Sequence, residues 1–299
     1  MAESQLLLAG RVDAYNGFIV DEDHLPADIA VFDMALELSM KAWREQKLRG
    51  LWIKVPIAKS NLIPVAVKHG FGFHHAQQDY LMLTHWIADG EVNKIPDYAS
   101  HYVGVGAVVV NENNEILVVL ERYRDQGGRW KIPGGLVDAG EGIGEAAERE
   151  TFEETGVKSE FISIMAFREK HSYLWQKSDL YFVARLRPLT SELKKEDQEI
   201  DDCKWMPLAE FYRDPNIYPT QKAIARLAMA DEHRSEGQIP YQGDLYAEEV
   251  PLSIKGGIPM KVWPPSSCGS SPASPPIHCL SSSKEHWRAR FPWELRILT

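Results

Sequence analysis

The stretch GGLVDAGEGIGEAAERETFEETGV, residues 134–157, crowds Glu145, Glu148, Glu150, Glu153 and Glu154 into one short helical pattern with Arg149 as its cation. At about 100° per residue, Glu150, Glu153 and Glu154 fall on the face that carries Ile143, Ala146 and Ala147. The carboxylates therefore continue the stripe whose first turns point inward. Glu150 and Glu154 are i,i+4 neighbours, and like charges at that spacing cost roughly 0.2–0.5 kcal/mol even when exposed. Half-burial raises the cost and calls for a neutralising partner. A hard divalent cation, Mg²⁺ or Mn²⁺, is one solution, because it takes oxygen ligands and carboxylates from successive turns can converge on it. A solvated acidic helix, with Arg149 paired i,i+4 to Glu145 and Glu153, is the other. On helix composition alone the two stand level.

A chain of 299 residues suffices for one large or two medium domains, each with its own core. From about residue 6 to 86 the pattern reads strand, helix, strand, helix, strand, strand; ADIAVFDMALELSMKAWREQ is the long helix and NLIPVAVKHGF a shorter one closed by Gly70. The polar run at 88–100 reads as a linker. VGVGAVVV and EILVVLER, joined by NENN, predict a β-hairpin, and FISIMAFRE and SDLYFVARLRPL predict further strands. TQKAIARLAMADEH predicts a last helix. Strands mixed with few helices imply an α+β fold rather than a doubly wound sheet. The expected organisation is an α+β domain over 1–98, a second domain over 99–235 and a C-terminal extension over 236–299. The extension should be largely disordered from about 264, where serine and proline dominate.

A net charge of -10 argues against sequence-blind wrapping of nucleic acid, which draws its free energy from Lys and Arg on phosphates. Cys203, Cys268 and Cys279 have neither CxxC nor zinc-ligand spacing, so a reducing compartment is the simpler reading. The early apolar run is too short for a signal-peptide core, and no stretch reaches the ~20 apolar residues that cross a bilayer. The expectation is a soluble protein, in the cytoplasm first and the nucleus or mitochondrion next.

Spacing separates the two readings of the acidic helix. Gly135, five residues, Glu141, seven residues, then RETFEETGV resembles the Nudix box, GX5EX7REUXEEXGU with U a bulky apolar residue. Each fixed polar and glycine position matches; Thr151 stands at one U position and Val157 fills the other. GRWKIPGG stands where the family has a strand before the box, and DDCKWMPLAEF where it has a strand and short helix. The resemblance implies an α/β/α sandwich with a mixed sheet, and hydrolysis of a nucleoside-linked diphosphate with Mg²⁺ or Mn²⁺. It implies metal ligation by Glu150, Glu153, Glu154 and the Gly135 carbonyl, with Glu153 or Glu154 taking the proton of water. Glu141 would support the metal ligands, and Arg149 would hold the glutamates in register through salt bridges. Beyond the box, Arg122, Arg124 and Arg168 are candidate phosphate or ribose contacts, since guanidinium forks bind phosphate; each is also an ordinary surface arginine. Trp130 faces substrate or fills the core, with the core favoured, and His171 sits in a loop from which it could reach substrate. His74 and His75, adjacent on a strand, should point to opposite faces and serve packing.

The N-terminal stretch GLWIKVPIAKSNLIPVAVKHGFGFHHAQQDYLMLTHWI resembles the pre-Nudix domain of plant ADP-ribose/NADH pyrophosphatases and animal antisense basic fibroblast growth factor proteins. That domain resembles half of an acetyltransferase, but the glycine-rich pyrophosphate loop of those enzymes is missing, so acetyl transfer is not expected. The subgroup implies a small nucleotide-diphosphate substrate such as ADP-ribose or NADH, and a homodimer. The alternatives are a growth-control protein of Nudix fold with marginal hydrolase activity, and removal of a nucleotide cap from RNA.

Overall fold

The computed structural model describes residues 6–123, 128–171, 174–231, 248–250 and 260–263. The chain divides into two compact units: one comprises Met1–Gly106, Gly134–Glu150 and Arg168–Phe182, the other Ala107–Pro133, Thr151–Phe167 and Val183–Thr299. The fold is mixed α+β, with an N-terminal β/α part preceding the sheets and helix of the acidic stretch.

In the N-terminal part, β1 (Gly10–Val12) and β2 (Phe18–Val20) form a small hairpin where the sequence suggests one strand. With β3 (Gly50–Pro56), β4 (Gly72–Ala76) and β5 (Tyr80–Trp86) they make a sheet of order β1-β2-β3-β5-β4. β2 and β3 run parallel, and β3, β5 and β4 pair antiparallel. The crossover from β2 to β3 is α1 (Ile29–Glu45), which starts where the Asp28 carboxylate accepts the Val31 N–H at 2.9 Å. Its buried residues, Phe32, Ala35, Leu36, Ser39, Met40 and Trp43, recur every three or four positions. They pack into one core with Leu51, Ile53 and Val55 of β3, the inward set of an alternating strand. Each of the large apolar side chains among them is worth about 1.5–3 kcal/mol of burial. Ser39 lies inside this core because its Oγ accepts the Leu8 N–H at 2.8 Å, tying down the chain's entry. α2 (Ile63–Lys68) is the shorter helix expected before Gly70.

After residue 100 come β6 (His101–Val109), β7 (Glu115–Glu121), α3 (Ile143–Thr155), β8 (Ser159–Lys170), β9 (Ser178–Pro188), β10 (Ile200–Pro207), α4 (Leu208–Arg213) and α5 (Pro219–Asp231). The short strands β11 (Glu248–Val250) and β12 (Met260–Trp263) pair with each other beside β8, giving the order β11-β12-β8-β9-β6. The hairpin expected from β6 and β7 does not form. The two strands touch at the Val110–Ile116 bridge and then part, β6 into the larger sheet and β7 into an antiparallel pair with β10. Other chain takes the edges a hairpin would have used: Lys131 exchanges backbone bonds of 2.9 and 3.0 Å with Val119 of β7, and residues 133–137 bond to β6. GRWKIPGG accordingly supplies one bridge at Lys131 rather than a strand, because Pro133 has no N–H to continue a ladder.

Cys203 is free and buried on β10, and burial pushes its thiol pKa up. Cys268, Cys279 and the serine- and proline-rich tail lie outside the described residues. No helix among those described is long and apolar enough to cross a membrane.

Candidate metal centre

Helix α3 is where the expectations meet the geometry. Its inner face is Ala146, Ala147, Thr151 and Thr155, all fully buried. The first turn is settled by Glu145, whose carboxylate accepts the Gly142 N–H at 2.9 Å and places negative charge at the helix N-terminus. At the far end, the Gly156 N–H reaches the Phe152 carbonyl at 2.8 Å. Lys194 and Glu196 donate their N–H groups to Thr155 and Glu154 at 2.8 and 3.2 Å. The carbonyls of Phe152, Glu154 and Thr155 are thereby satisfied. Thr155 Oγ1 adds a bond to the Thr151 carbonyl at 2.5 Å and accepts the Val157 N–H at 3.2 Å.

The strand-like strip before the helix is fastened to β6. Ala107 N–H donates to Pro133 O at 2.8 Å, Val105 N–H to Gly135 O at 2.9 Å and Val137 N–H to Val103 O at 3.0 Å. Gly134 lies at φ 148°, and a Cβ there would stand 2.1 Å from the Val105 carbonyl oxygen. Gly135 makes a different close approach: a Cβ on it would lie 2.5 Å from Oε1 of Glu150. The Glu150 carboxylate thus rests directly over Gly135.

Arg149 organises this cluster. Its Nε and Nη2 clasp the two oxygens of Glu141 at 2.7 and 2.9 Å, its Nη1 reaches Glu150 at 2.9 Å and Nη2 also donates to the Leu136 carbonyl at 3.1 Å. The Arg149 fork and the Asp138 N–H hold the Glu141 carboxyl down at a pKa of about 2. Glu145, an i,i+4 partner of Arg149 in the solvated reading, is bonded to the loop N–H instead.

One turn on from Glu150, Glu154 is buried, with 9% of its surface exposed, and Lys131 Nζ stands 3.9 Å from it. Lys131 also pairs with Glu121 at 2.5 Å. The sequence reading does not single out Lys131 or Glu121; the available signal was a charge at each end of short apolar runs that fold together. Glu153 is exposed, at the margin of the face.

The structure therefore gathers Gly135, Glu141, Arg149 and Glu150. Arg168 borders them: its Nη2 pairs with the buried Asp179 at 3.0 Å, its guanidinium covers the Tyr181 ring at 4.5 Å, and a Cβ on Gly104 would meet Tyr181, Gly135 O and Asp179 at 3.0, 3.3 and 3.7 Å. Arg122 is engaged by Asp201 at 2.8 Å, His171 by the Ser178 hydroxyl at 3.0 Å, and the partly buried Trp130 ring lies under Lys204 at 4.4 Å. Arg124 lies outside the described residues.

Among the described residues, no three His, Cys, Asp or Glu side chains are gathered so as to enclose a metal ion. The donor set nevertheless suits a hard divalent cation, since the side chains on this helix face and the Gly135 carbonyl offer oxygen. Lys131 and Arg149 lie against the carboxylates such an ion would neutralise.

Residues 100–227 match the NUDIX domain and residues 8–87 the Nudix hydrolase domain. Nudix hydrolase 2 of Arabidopsis thaliana is 44% identical over 217 residues, covering 72% of this chain and 77% of that protein. Nudix hydrolase 8 of the same plant is 44% identical over 213 residues; 71% of this chain is covered, but only 58% of that longer protein. The human nucleoside diphosphate-linked moiety X motif 6 is 35% identical over 255 residues, 83% of this chain and 79% of that protein. The matched helix, its glutamates and relatives covered over most of their length place the chain in the Nudix hydrolase family of pyrophosphohydrolases.

Proposed function

We propose that the chain hydrolyses the diphosphate of a nucleoside diphosphate-linked compound, ADP-ribose, NADH or a similar dinucleotide, with Mg²⁺ or Mn²⁺ as cofactor. The observation that carries this reading is the seating of the Glu150 carboxylate on Gly135, one helical turn before the buried Glu154. Glu150, Glu153, Glu154 and the Gly135 carbonyl would hold the metal; that carbonyl accepts one N–H, from Val105, and keeps a second lone pair. An ion held by these residues would supply charge neutralisation on the diphosphate and a more acidic water. A water oxygen attacks one phosphorus, its proton passes to Glu153 or Glu154, and the bridging P–O bond breaks to release a nucleoside monophosphate and a second phosphorylated moiety. Arg149 keeps Glu150 aimed by holding it and Glu141 together. Arg168 and Arg122 would bind phosphate or ribose by exchanging their present carboxylate partners for substrate oxygens. The likeness of the N-terminal part to half of an acetyltransferase is proposed as architecture only, on the KHGFGF segment, without acyl transfer.

The test is incubation with Mg²⁺ or Mn²⁺ and a panel of ADP-ribose, NADH, coenzyme A, diadenosine polyphosphates and capped RNA, beside Glu154→Gln. Turnover of one class, lost in the variant, is the expected result. Silence across the panel, with metal binding intact by titration, would instead favour a regulatory protein of the same fold.

A further inference from the structure

Outside α3, the sharpest arrangement of titratable groups is on β4. A bulge between Phe73 and His75 interrupts the pairing of β4 with β5. His74 and His75, which strict alternation would send to opposite faces, consequently turn toward each other, with Nδ1 to Nδ1 at 2.7 Å. His74 Nε2 lies 2.9 Å from the Pro96 carbonyl, and His75 Nε2 lies 3.2 Å from the Tyr80 hydroxyl. A carbonyl only accepts, so His74 carries its proton on Nε2 and its Nδ1 is the acceptor. His75 must then donate from Nδ1, and its Nε2 accepts from the Tyr80 O–H. One carbonyl thus sets the direction of the whole chain of bonds.

That carbonyl belongs to the linker. Ile95 sits 3.5 Å from where a Cβ of Gly50 would stand, and Tyr98 stacks on His75 with centroids 4.6 Å apart and planes 8° from parallel. Gln77 donates to the Tyr98 hydroxyl at 3.4 Å, and Glu91 pairs with Arg49 at 2.7 Å. We infer that His74 and His75 form a proton-counting latch that fastens linker residues 94–98 to the N-terminal sheet and releases them when both imidazoles are charged.

The count follows from the bonds. One added proton is tolerated, because a single N–H still bridges the two Nδ1 atoms while Tyr80 turns to accept from His75 Nε2. A second leaves both Nδ1 atoms as donors facing each other at 2.7 Å, and the contact fails. Charged and aromatic neighbours face the ring pair. Lys54, paired with Glu22 and under the influence of Asp79, covers the Tyr80 ring at 4.6 Å; Lys177 covers Tyr98 at 5.1 Å; Trp52 meets His74 by its edge at 5.1 Å. Burial, then the charge of His74, pushes the His75 pKa below its ordinary 6.5. A histidine lowered in this way gives its full stabilisation above 6.5 and loses it as the pH falls below that value.

Two measurements on the intact chain test this, independently of hydrolase activity. Side-chain ¹⁵N NMR at pH 8 should find His74 protonated on Nε2 and His75 on Nδ1; His75 protonated on Nε2 at that pH overturns the inference. Tryptic cleavage after Lys94, taken relative to a free peptide of the same sequence at each pH, should accelerate about fivefold as the pH falls from 8 to 5, the weight of one ordinary hydrogen bond. His75→Phe should cleave fast at all pH values. Cleavage in the wild type that does not change between pH 8 and pH 5 would also overturn it.

Discussion

Replacing Gly135 by alanine isolates the contact on which the proposed site depends. A Cβ at this position would lie 2.5 Å from Oε1 of Glu150 and 2.7 Å from its carboxyl carbon, whereas ordinary contact begins at 3.4 Å. The carboxylate must therefore retreat by about 0.9 Å, the difference between those distances. The obstacle is the end of a flexible side chain, so the fold can yield. The stability cost should stay near 1 kcal/mol, the weight of a weakened Arg149–Glu150 bond. That corresponds to a fall in Tm of about 2–4 °C. Chemistry is less tolerant, because a displacement of ~1 Å in a positioned group can cost about 100-fold in rate. The expected result is kcat about 100-fold down with Mg²⁺, with Tm lower by only about 2–4 °C. Gly134→Ala is the contrast: its Cβ would strike the Val105 backbone oxygen at 2.1 Å, at a φ of 148°. It should lose ~1–3 kcal/mol to backbone strain alone. Turnover studies and calorimetry on both variants decide the matter. If Gly135→Ala turns over like the wild type, the seating of Glu150 does not govern catalysis; if it unfolds as early as Gly134→Ala, the glycine is structural.

Arg149→Lys keeps the charge but loses the fork on Glu141 and the reach to Glu150 and Leu136, so kcat should fall about 10- to 100-fold; steady-state kinetics with fold checked by circular dichroism tests it. Glu141, lowered from 4.5 to about 2, contributes stability that is complete above 4.5 and is lost as the pH falls toward 2. A ¹³C NMR titration should place its midpoint near 2 in the wild type and closer to the usual carboxylate range in Arg149→Lys. Thr155→Val removes the bonds to the Thr151 carbonyl and the Val157 N–H at a fully buried position, and should cost about 1–3 kcal/mol by urea unfolding. An unchanged midpoint would mean that neighbouring groups replace the hydroxyl.

What could be read in the sequence is what depends on local period. The inward set of α1 and the buried Ala146 and Ala147 of α3 follow from spacing alone. The β6–β7 hairpin fails for a non-local reason. Val105 to Val109 and Ile116 to Val119 are runs buried on both faces with almost no alternation, and such runs do not specify which strand lies beside them. The facing of His74 and His75 depends on one bulged residue, and a period of two cannot foresee it. Helical spacing offers Arg149 the partners Glu145 and Glu153 but does not reveal Glu141. Glu141 takes its fork because the loop folds back over the helix, bringing in a residue eight positions earlier. Lys131 and Glu121 come from separate apolar runs, so their pairing and the approach of Lys131 to Glu154 belong to tertiary structure.

The pairing of 133–137 with β6 also regulates where the chain can change length. Its bonds advance in steps of two, from Pro133 opposite Ala107 to Gly135 opposite Val105 and Val137 opposite Val103, like graduations on a ruler. A single residue gained or lost between these marks slides the scale by one division. Gly134 or Leu136 would then face Glu150, and the leucine side chain would fill the space its carboxylate occupies. Insertions and deletions compatible with hydrolysis must therefore fall outside this interval, and a library of one-residue indels across 129–140 should show a gap in activity over the ruled positions.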